Sequence, residues 1–198
     1  MNIKKFVATT KKGLNKKYND DIVNFNDVDG GTILYLADGA TGVGDGRYAS
    51  KIFSEECLQI KKILNKSELL NFMSSIDMKI MLSDYDCDTT GIILQIGENN
   101  IITGVSVGDS DAYLFTKDNI INLTKNQKRK PRLGNLSYPV FFEHVIEKDD
   151  KIFMATDGVM NILNIQDINN IIKEKKPSKI ILEKLKKNTD DASFIIAS

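Results

Sequence analysis

The sequence predicts an α+β chain in which two packed, mainly antiparallel sheets carry helical layers on their outer faces. Three observations point there: about ten short apolar runs rich in β-branched residues, helical patterns inserted in pairs between them, and a polar turn joining the middle pair of runs. Strands are expected near Ile3–Ala8, Ile22–Phe25, Thr32–Ala37, Thr90–Gly97 and Ile101–Val107. Five more follow near Ala112–Thr116, Asn119–Leu123, Phe141–Ile146, Lys151–Thr156 and Ala192–Ala197. Glu98, Asn99 and Asn100 read as a hairpin connection, which makes neighbouring strands antiparallel. Tyr48, Ala49, Ile52, Phe53, Leu58, Ile60, Ile63 and Leu64 recur close to one helical face and predict a long amphipathic helix. Leu69, Leu70, Phe72, Met73, Ile76, Ile80 and Met81 predict a second, with Ser67 as N-cap ahead of Glu68. Ile168, Ile171 and Ile172, then Ile180, Ile181, Leu182 and Leu185, predict two more, broken at Pro177, since proline lacks the helical donor.

Composition narrows the function classes. With 198 residues, 41% hydrophobic and 27% charged, the chain can bury the core of one domain and hardly of two, and it is too apolar to stay disordered. No Gly/Ser-rich linker divides it, so residues 1–198 read as a single domain. No apolar run approaches the roughly 20 residues of a membrane helix, and Met1–Thr10 lacks the apolar stretch of a secretion signal, so a cytoplasmic protein away from the membrane is expected. Lys plus Arg and Asp plus Glu both number 27, a net charge of zero, which removes the broad positive field of a nucleic-acid binder. Cys57 and Cys87 form no CxxC pair, so they are read as free thiols rather than a disulfide or zinc site.

The chemistry lies in acidic residues at strand ends. Asp20 with Asp21, Asp38, Asp109, Asp157, and Asp190 with Asp191 each adjoin an apolar run. Strand ends of stacked sheets can converge on one edge, so these carboxylates are candidates for a shared cleft. Gathered without a cation they would raise one another's pKa and destabilise the fold; oxygen-only ligands favour magnesium or manganese. Glycine adjoins aspartate at Asp38-Gly39, Gly108-Asp109 and Asp157-Gly158, where the missing β-carbon permits turns or lets a peptide carbonyl, such as that of Gly39, approach an ion.

In order along the chain these segments resemble the metal-dependent protein phosphatases of the protein phosphatase 2C family. Asn19-Asp20-Asp21 looks like the first acidic motif, and Ala37-Asp38-Gly39 with the Gly42–Gly46 loop and Ala49-Ser50 looks like the second. Asp88-Thr89-Thr90-Gly91 resembles a Gly-Thr-Thr-type strand start, and Val107-Gly108-Asp109-Ser110 resembles the Gly-Asp-Ser segment. Ala155-Thr156-Asp157-Gly158 and Asp190-Asp191-Ala192-Ser193 are similar to the two closing motifs. The resemblance implies a four-layer α-β-β-α sandwich. It also implies a binuclear Mn2+ or Mg2+ centre hydrolysing phosphoserine and phosphothreonine in proteins that a serine/threonine kinase has modified, in a monomeric enzyme. Residue by residue, it makes Asp38 the bridge between two ions, Gly39 a carbonyl ligand, and Asp157 and Asp190 further ligands. Asp21 and Asp20 would hold the surrounding waters, and Asp109 with Asp157 would hold a possible third ion.

The sequence departs from that pattern in four places. Lys16 stands where the family has a phosphate-gripping arginine; it keeps the charge without the planar fork, and Lys17 is adjacent. Ala40 replaces a histidine or methionine, so it cannot protonate a leaving group. Asn161 replaces an aspartate near the third ion, and Asp111 replaces an arginine. The only histidine, His144, lies in an apolar strand, where a structural role is expected. Gly39–Gly46 lacks the Lys and Ser/Thr of a P-loop, and Asp84, Asp86 and Asp88 lack the glycine and closing glutamate of a calcium loop. The basic run Lys125, Lys128, Arg129, Lys130 and Arg132 falls in a flap-like variable segment at about 124–142, and reads either as an exposed loop or as an attractor of acidic or phosphorylated substrate. Two rivals remain: a catalytically weak pseudophosphatase that binds phosphoproteins, and a small-molecule phosphatase.

Overall fold

The computed structural model describes residues 3, 5–40 and 45–198; most of the predicted Gly42–Gly46 loop lies outside them. The chain runs β1 (Phe6–Lys11), β2 (Asp21–Val28), β3 (Gly31–Asp38), α1 (Gly46–Cys57), α2 (Lys66–Met81), β4 (Gly91–Gly97) and β5 (Ile101–Val107). It continues through β6 (Asp111–Phe115), β7 (Ile120–Asn122), β8 (Val140–Val145), β9 (Lys151–Ala155), α3 (Asp157–Met160), α4 (Ile165–Ile171), α5 (Pro177–Lys184) and β10 (Ala192–Ala197). The strands form two sheets, ordered β1-β10-β9-β6-β7 and β2-β3-β4-β5-β8, and every pairing between strands is antiparallel.

Side-chain alternation builds the four layers. On β3, Leu34 and Leu36 point between the sheets toward Ile92, Leu94, Met154 and Ile195. Their neighbours Ile33, Tyr35 and Ala37 face outward against Phe53, Leu69, Met73 and Ile76 of α1 and α2. On the other sheet Phe153, Phe194 and Ile196 face outward against Val159, Ile168, Ile181 and Leu185. Covering both faces explains why β4 and β10 are buried at every position and read as mostly apolar runs, interrupted only by Gln95 and Ser193. The outer layer of this second sheet holds α3, α4 and α5 rather than the expected pair; α3 is a single turn, too short to leave a periodic pattern. Pro177 opens α5 at its first turn, where the missing N–H costs no helical bond. Cys57 and Cys87 are free thiols, and among the described residues no helix is long and apolar enough to cross a membrane.

Three local expectations are corrected. β1 begins at Phe6 rather than Ile3: Phe6 lies opposite Ala197 of β10, and the pairing runs on only through the backbone bonds between Lys5 and Ser198 (2.9 and 3.0 Å). The N-cap of α2 is Asn65 rather than Ser67: its side chain accepts from the Glu68 N–H at 3.0 Å, and Glu68 returns the bond to the Asn65 N–H at 2.8 Å. The first helix stops at Cys57, and Leu58–Leu64 runs on as non-helical chain. That segment bonds to the β2–β3 turn through Asp29 N–H to the Lys61 carbonyl (2.9 Å) and Ile63 N–H to the Asp29 carbonyl (3.0 Å). Ile60 still enters the α1–α2 core, which is why its spacing imitated a helix.

The end of this segment is held by one buried side chain. Gln95 on β4 accepts from the Leu64 N–H at 2.8 Å, donates to the Leu64 carbonyl at 2.9 Å and donates to Thr103 Oγ1 at 3.0 Å. Gln95→Leu strands these partners without adding a cavity. Urea unfolding is expected to show a loss of about 2 kcal/mol with an unchanged denaturant slope.

Candidate metal centre

Antiparallel pairing carries the acidic residues to one edge. Asp21 opens β2 and Asp38 closes β3, and the two are register partners. Val107, opposite Gly91, ends β5, and Gly108-Asp109 follow at the same edge. On the second sheet Ala155 ends β9 opposite Phe194, so Asp157, Asp190 and Asp191 flank that end. The sheets meet where Thr156 Oγ1 donates to Asp21 Oδ2 at 3.0 Å; the same hydroxyl accepts from the Ser193 N–H at 3.0 Å.

Backbone clamps fix the carboxylates' starting points. The Asp38 N–H donates to Thr90 Oγ1 at 3.0 Å, and its carbonyl accepts from Thr89 Oγ1 at 2.8 Å and the Thr90 N–H at 2.9 Å. A β-carbon on Gly39 would lie 2.5 Å from the Gly46 carbonyl oxygen, so glycine here serves backbone crowding. Gly108 holds a φ of 101°, which turns the chain so that Asp109 follows β5 at this edge. Asp191, paired with Asp190 in the sequence reading, does different work. It is buried, and its oxygens accept from the backbone N–H groups of Gly13 (2.8 Å) and Asp20 (2.9 Å), tying the β1–β2 connection to β10.

The electrostatics are those of a crowded anionic site. Burial, and then the charge of Asp191, push the Asp21 carboxyl up to about 7 against the opposing hydrogen bond from Thr156. Asp38 is held well above the usual carboxylate range by burial, then by Asp21, Asp157, Asp109 and Asp190. Burial, followed by Asp109 and Asp190, also raises Asp157. Asp20 is raised by burial and by Asp191. Asp21 is 5% exposed, and its Oδ1 is buried with no hydrogen-bond partner among the described residues. Among those residues no three acidic, histidine or cysteine side chains already close on one point as a cation site. The donor chemistry nonetheless fits a hard divalent ion: oxygen donors only, several of them carboxylates, one with an orphaned buried oxygen.

Three predicted positions have definite partners. Lys16 forms an ion pair with Asp190 at 3.0 Å. Burial acts to lower the Lys16 pKa, but the hydrogen bond and charge of Asp190, with Asp191 and Asp20, raise it, so the ammonium stays charged. Asp109, expected beside a third ion, meets Arg129 at 2.7 Å and Arg132 at 3.3 Å. Asp111 accepts from Thr124 Oγ1 at 3.2 Å, anchoring the start of the variable segment. His144 lies on β8 opposite Ile102, at the far end of the strand pair from Ser106 and Val140.

Two groups escaped sequence reasoning. Asp77 on α2 is buried and accepts from the Gly134 N–H (2.6 Å), the Ser137 N–H (2.5 Å) and Ser137 Oγ (2.8 Å), which binds the variable segment down. Its only sequence signal is a charge among the apolar positions of a helix. Near Asp20, Arg47 lies over Tyr18 at 4.1 Å and pairs with Asp45 at 2.9 Å, while Tyr48 stacks on Tyr85 at 3.9 Å. No sequence periodicity brings those five side chains together.

The fold is shared with solved bacterial phosphatases. A bacterial serine phosphatase variant superposes with a TM-score of 0.85 at 19% identity, covering 98% of this chain and 97% of that one. Stp1, a serine/threonine phosphatase from Staphylococcus aureus, gives 0.82 at 17% identity, with 100% and 97% covered. The catalytic domain of PstP in complex with two manganese ions gives 0.78 at 18% identity, with 99% and 98% covered. No family model matches the sequence, and no curated protein matches it. At these identities the likeness establishes the fold, that of the phosphatase 2C-like serine/threonine phosphatases, and leaves activity to be argued from the site.

The raised carboxyls set a pH dependence. Unfolded aspartate releases its proton near 4, whereas folded Asp21 keeps it to about 7. The folded state therefore binds more protons across that window, and metal-free protein should lose stability as pH rises from about 4 to about 7. Thermal unfolding in chelator is expected to show this slope, and Asp21→Asn to flatten it. A midpoint that rises over the same range would contradict the assignment.

Proposed function

We propose that this chain is a metal-dependent hydrolase of phosphoserine and phosphothreonine in proteins. The observation that carries the reading is the delivery of Asp21, Asp38, Asp157 and Asp190, from both sheets, to one edge where burial and then the neighbouring carboxylates raise Asp38 and Asp157. The two-manganese complex of a protein with the same fold supports it. Asp38, the Gly39 carbonyl, Asp157 and Asp190 would hold two Mn2+ or Mg2+ ions, with Asp21 and Asp20 around them. When bound, such ions acidify water and neutralise the phosphoryl oxygens of a reaction that is extremely slow uncatalysed.

The chain's own groups do the rest. Thr89 and Thr90 hold the Asp38 backbone, and Thr156 orients Asp21, so both carboxylates are placed before an ion arrives. The Lys16 ammonium sits beside Asp190, where it can meet a substrate phosphate as a point charge rather than through a bidentate fork. Ala40 offers no proton, so solvent protonates the departing serine or threonine oxygen. Residues 1–198 act as one domain, as a monomer in the cytoplasm, on proteins phosphorylated by a serine/threonine kinase.

The weak pseudophosphatase is the second reading, favoured by the Lys16–Asp190 and Arg132–Asp109 ion pairs, which neutralise carboxylates from within. Hydrolysis of p-nitrophenyl phosphate and of a phosphothreonine peptide separates the readings. Manganese is expected to be required and chelator to abolish turnover, with Asp38→Asn or Asp157→Asn losing at least about 100-fold. Wild-type protein no faster than these variants on either substrate would leave the binding reading. Faster turnover of small phosphate esters than of the peptide would move the substrate class.

A further inference from the structure

The segment between β7 and β8, residues 124–139, contains no helix or strand, yet it is tied down along its length. Thr124 bonds Asp111, Gln127 Nε2 donates to the Ser110 carbonyl at 2.7 Å, and Leu133 exchanges backbone bonds with Thr89 at 3.0 and 3.1 Å. Asn135 Nδ2 donates to Asp88 Oδ2 at 3.0 Å, and Gly134 and Ser137 bond Asp77. The strap thereby carries Arg132 onto Asp109. Its Nη2 lies 3.3 Å from Asp109 Oδ2 and its Nη1 lies 3.7 Å from Asp88 Oδ1, with side-chain exposures of 19% for Arg132 and 13% for Asp109. Arg129 Nε adds a 2.7 Å contact to the same Asp109 oxygen from a side chain 72% exposed.

A guanidinium is permanently charged, and an enclosed Arg–carboxylate contact is screened far less than an exposed one. A divalent ion reaching Asp109 would have to displace Arg132 and would meet its positive charge. Position 161, beyond α3, supplies an amide on an exposed side chain and no carboxylate to compensate. We infer that Arg132, assisted by Arg129, stands in the place of a third cation beside Asp109, so that the chain holds two divalent ions and no more. The inference rests on the two-ion reading above. Arg132 and Arg129 are positioning residues here: they fix Asp109 and lock the strap at the rim of the carboxylate edge.

Manganese titration of the metal-free full chain, followed by the electron paramagnetic resonance of free Mn2+ and by calorimetry, counts the ions without reference to turnover. Two ions per chain are expected for the wild type, and Arg129→Ala/Arg132→Ala is expected to admit a weaker third. Arg129→Lys/Arg132→Lys, which keeps both cations, should remain at two. Three ions in the wild type, or two in the double-alanine variant shown folded by circular dichroism, would overturn the inference. Should that variant fail to fold, Asp109→Asn decides: a count that stays at two supports an Asp109 engaged by arginine, and a count that falls refutes it. A wild type that binds no manganese would instead remove the two-ion reading itself, an outcome separate from either refutation.

Discussion

Like charges gathered at the rim of a sandwich are the constraint on which the rest depends. Asp38 stands in the field of four other carboxylates, and burial withdraws the solvent that would screen them. Such a group is tolerated in one of three ways: the carboxyls stay protonated, internal cations pair with them, or metal ions neutralise them. This chain shows the first two side by side, in the raised carboxyls of Asp21 and Asp38 and in the pairing of Asp190 and Asp109 with Lys16 and arginines. The third is the way such an edge becomes chemically useful, because it concentrates positive charge where a phosphate would bind.

The fold holds this edge open by placing its strongest constraints behind it. The inter-sheet core, with Leu36, Leu94, Met154 and Ile195, sets the spacing of the sheets. Thr156 and Asp191 then join them through hydrogen bonds to Asp21, Gly13 and Asp20. Neither Thr156 nor Asp191 is among the proposed ion ligands. Their part is to make the carboxylate positions a consequence of sheet packing, so that repulsion cannot relax by moving the strands apart.

Most of the architecture was legible because both faces of each central strand are covered. Short, mostly apolar and isoleucine-rich runs such as Ile92–Ile96 and Phe194–Ala197 leave little choice but a buried strand. What misled was periodicity without hydrogen bonding. Leu58, Ile60, Ile63 and Leu64 matched a helical face, but Gln95 and Asp29 offered their backbone other partners, and the helix stopped at Cys57. In the site, the aspartates at strand ends were visible as repeated chain features. Asp77 and the Tyr18–Arg47 contact were not, because each partner lies far away in sequence or on a loop without a pattern.

By itself the sequence determined ten strands, the order of the helical insertions and the set of aspartates flanking strand ends, since these follow from side-chain alternation and local backbone preference. Only the tertiary structure decided which aspartates serve the edge and which serve the frame. Asp190 and Asp191 are neighbours in the chain, yet one meets Lys16 at the edge and the other is buried on backbone donors. It also decided that Asp109 meets Arg132, a contact spanning 23 residues that exists because Asp77, Asp111 and Thr89 hold the strap in place. A carboxylate's role depends on its partners across space, and those partners are chosen by packing between sheets and loops that no local pattern encodes.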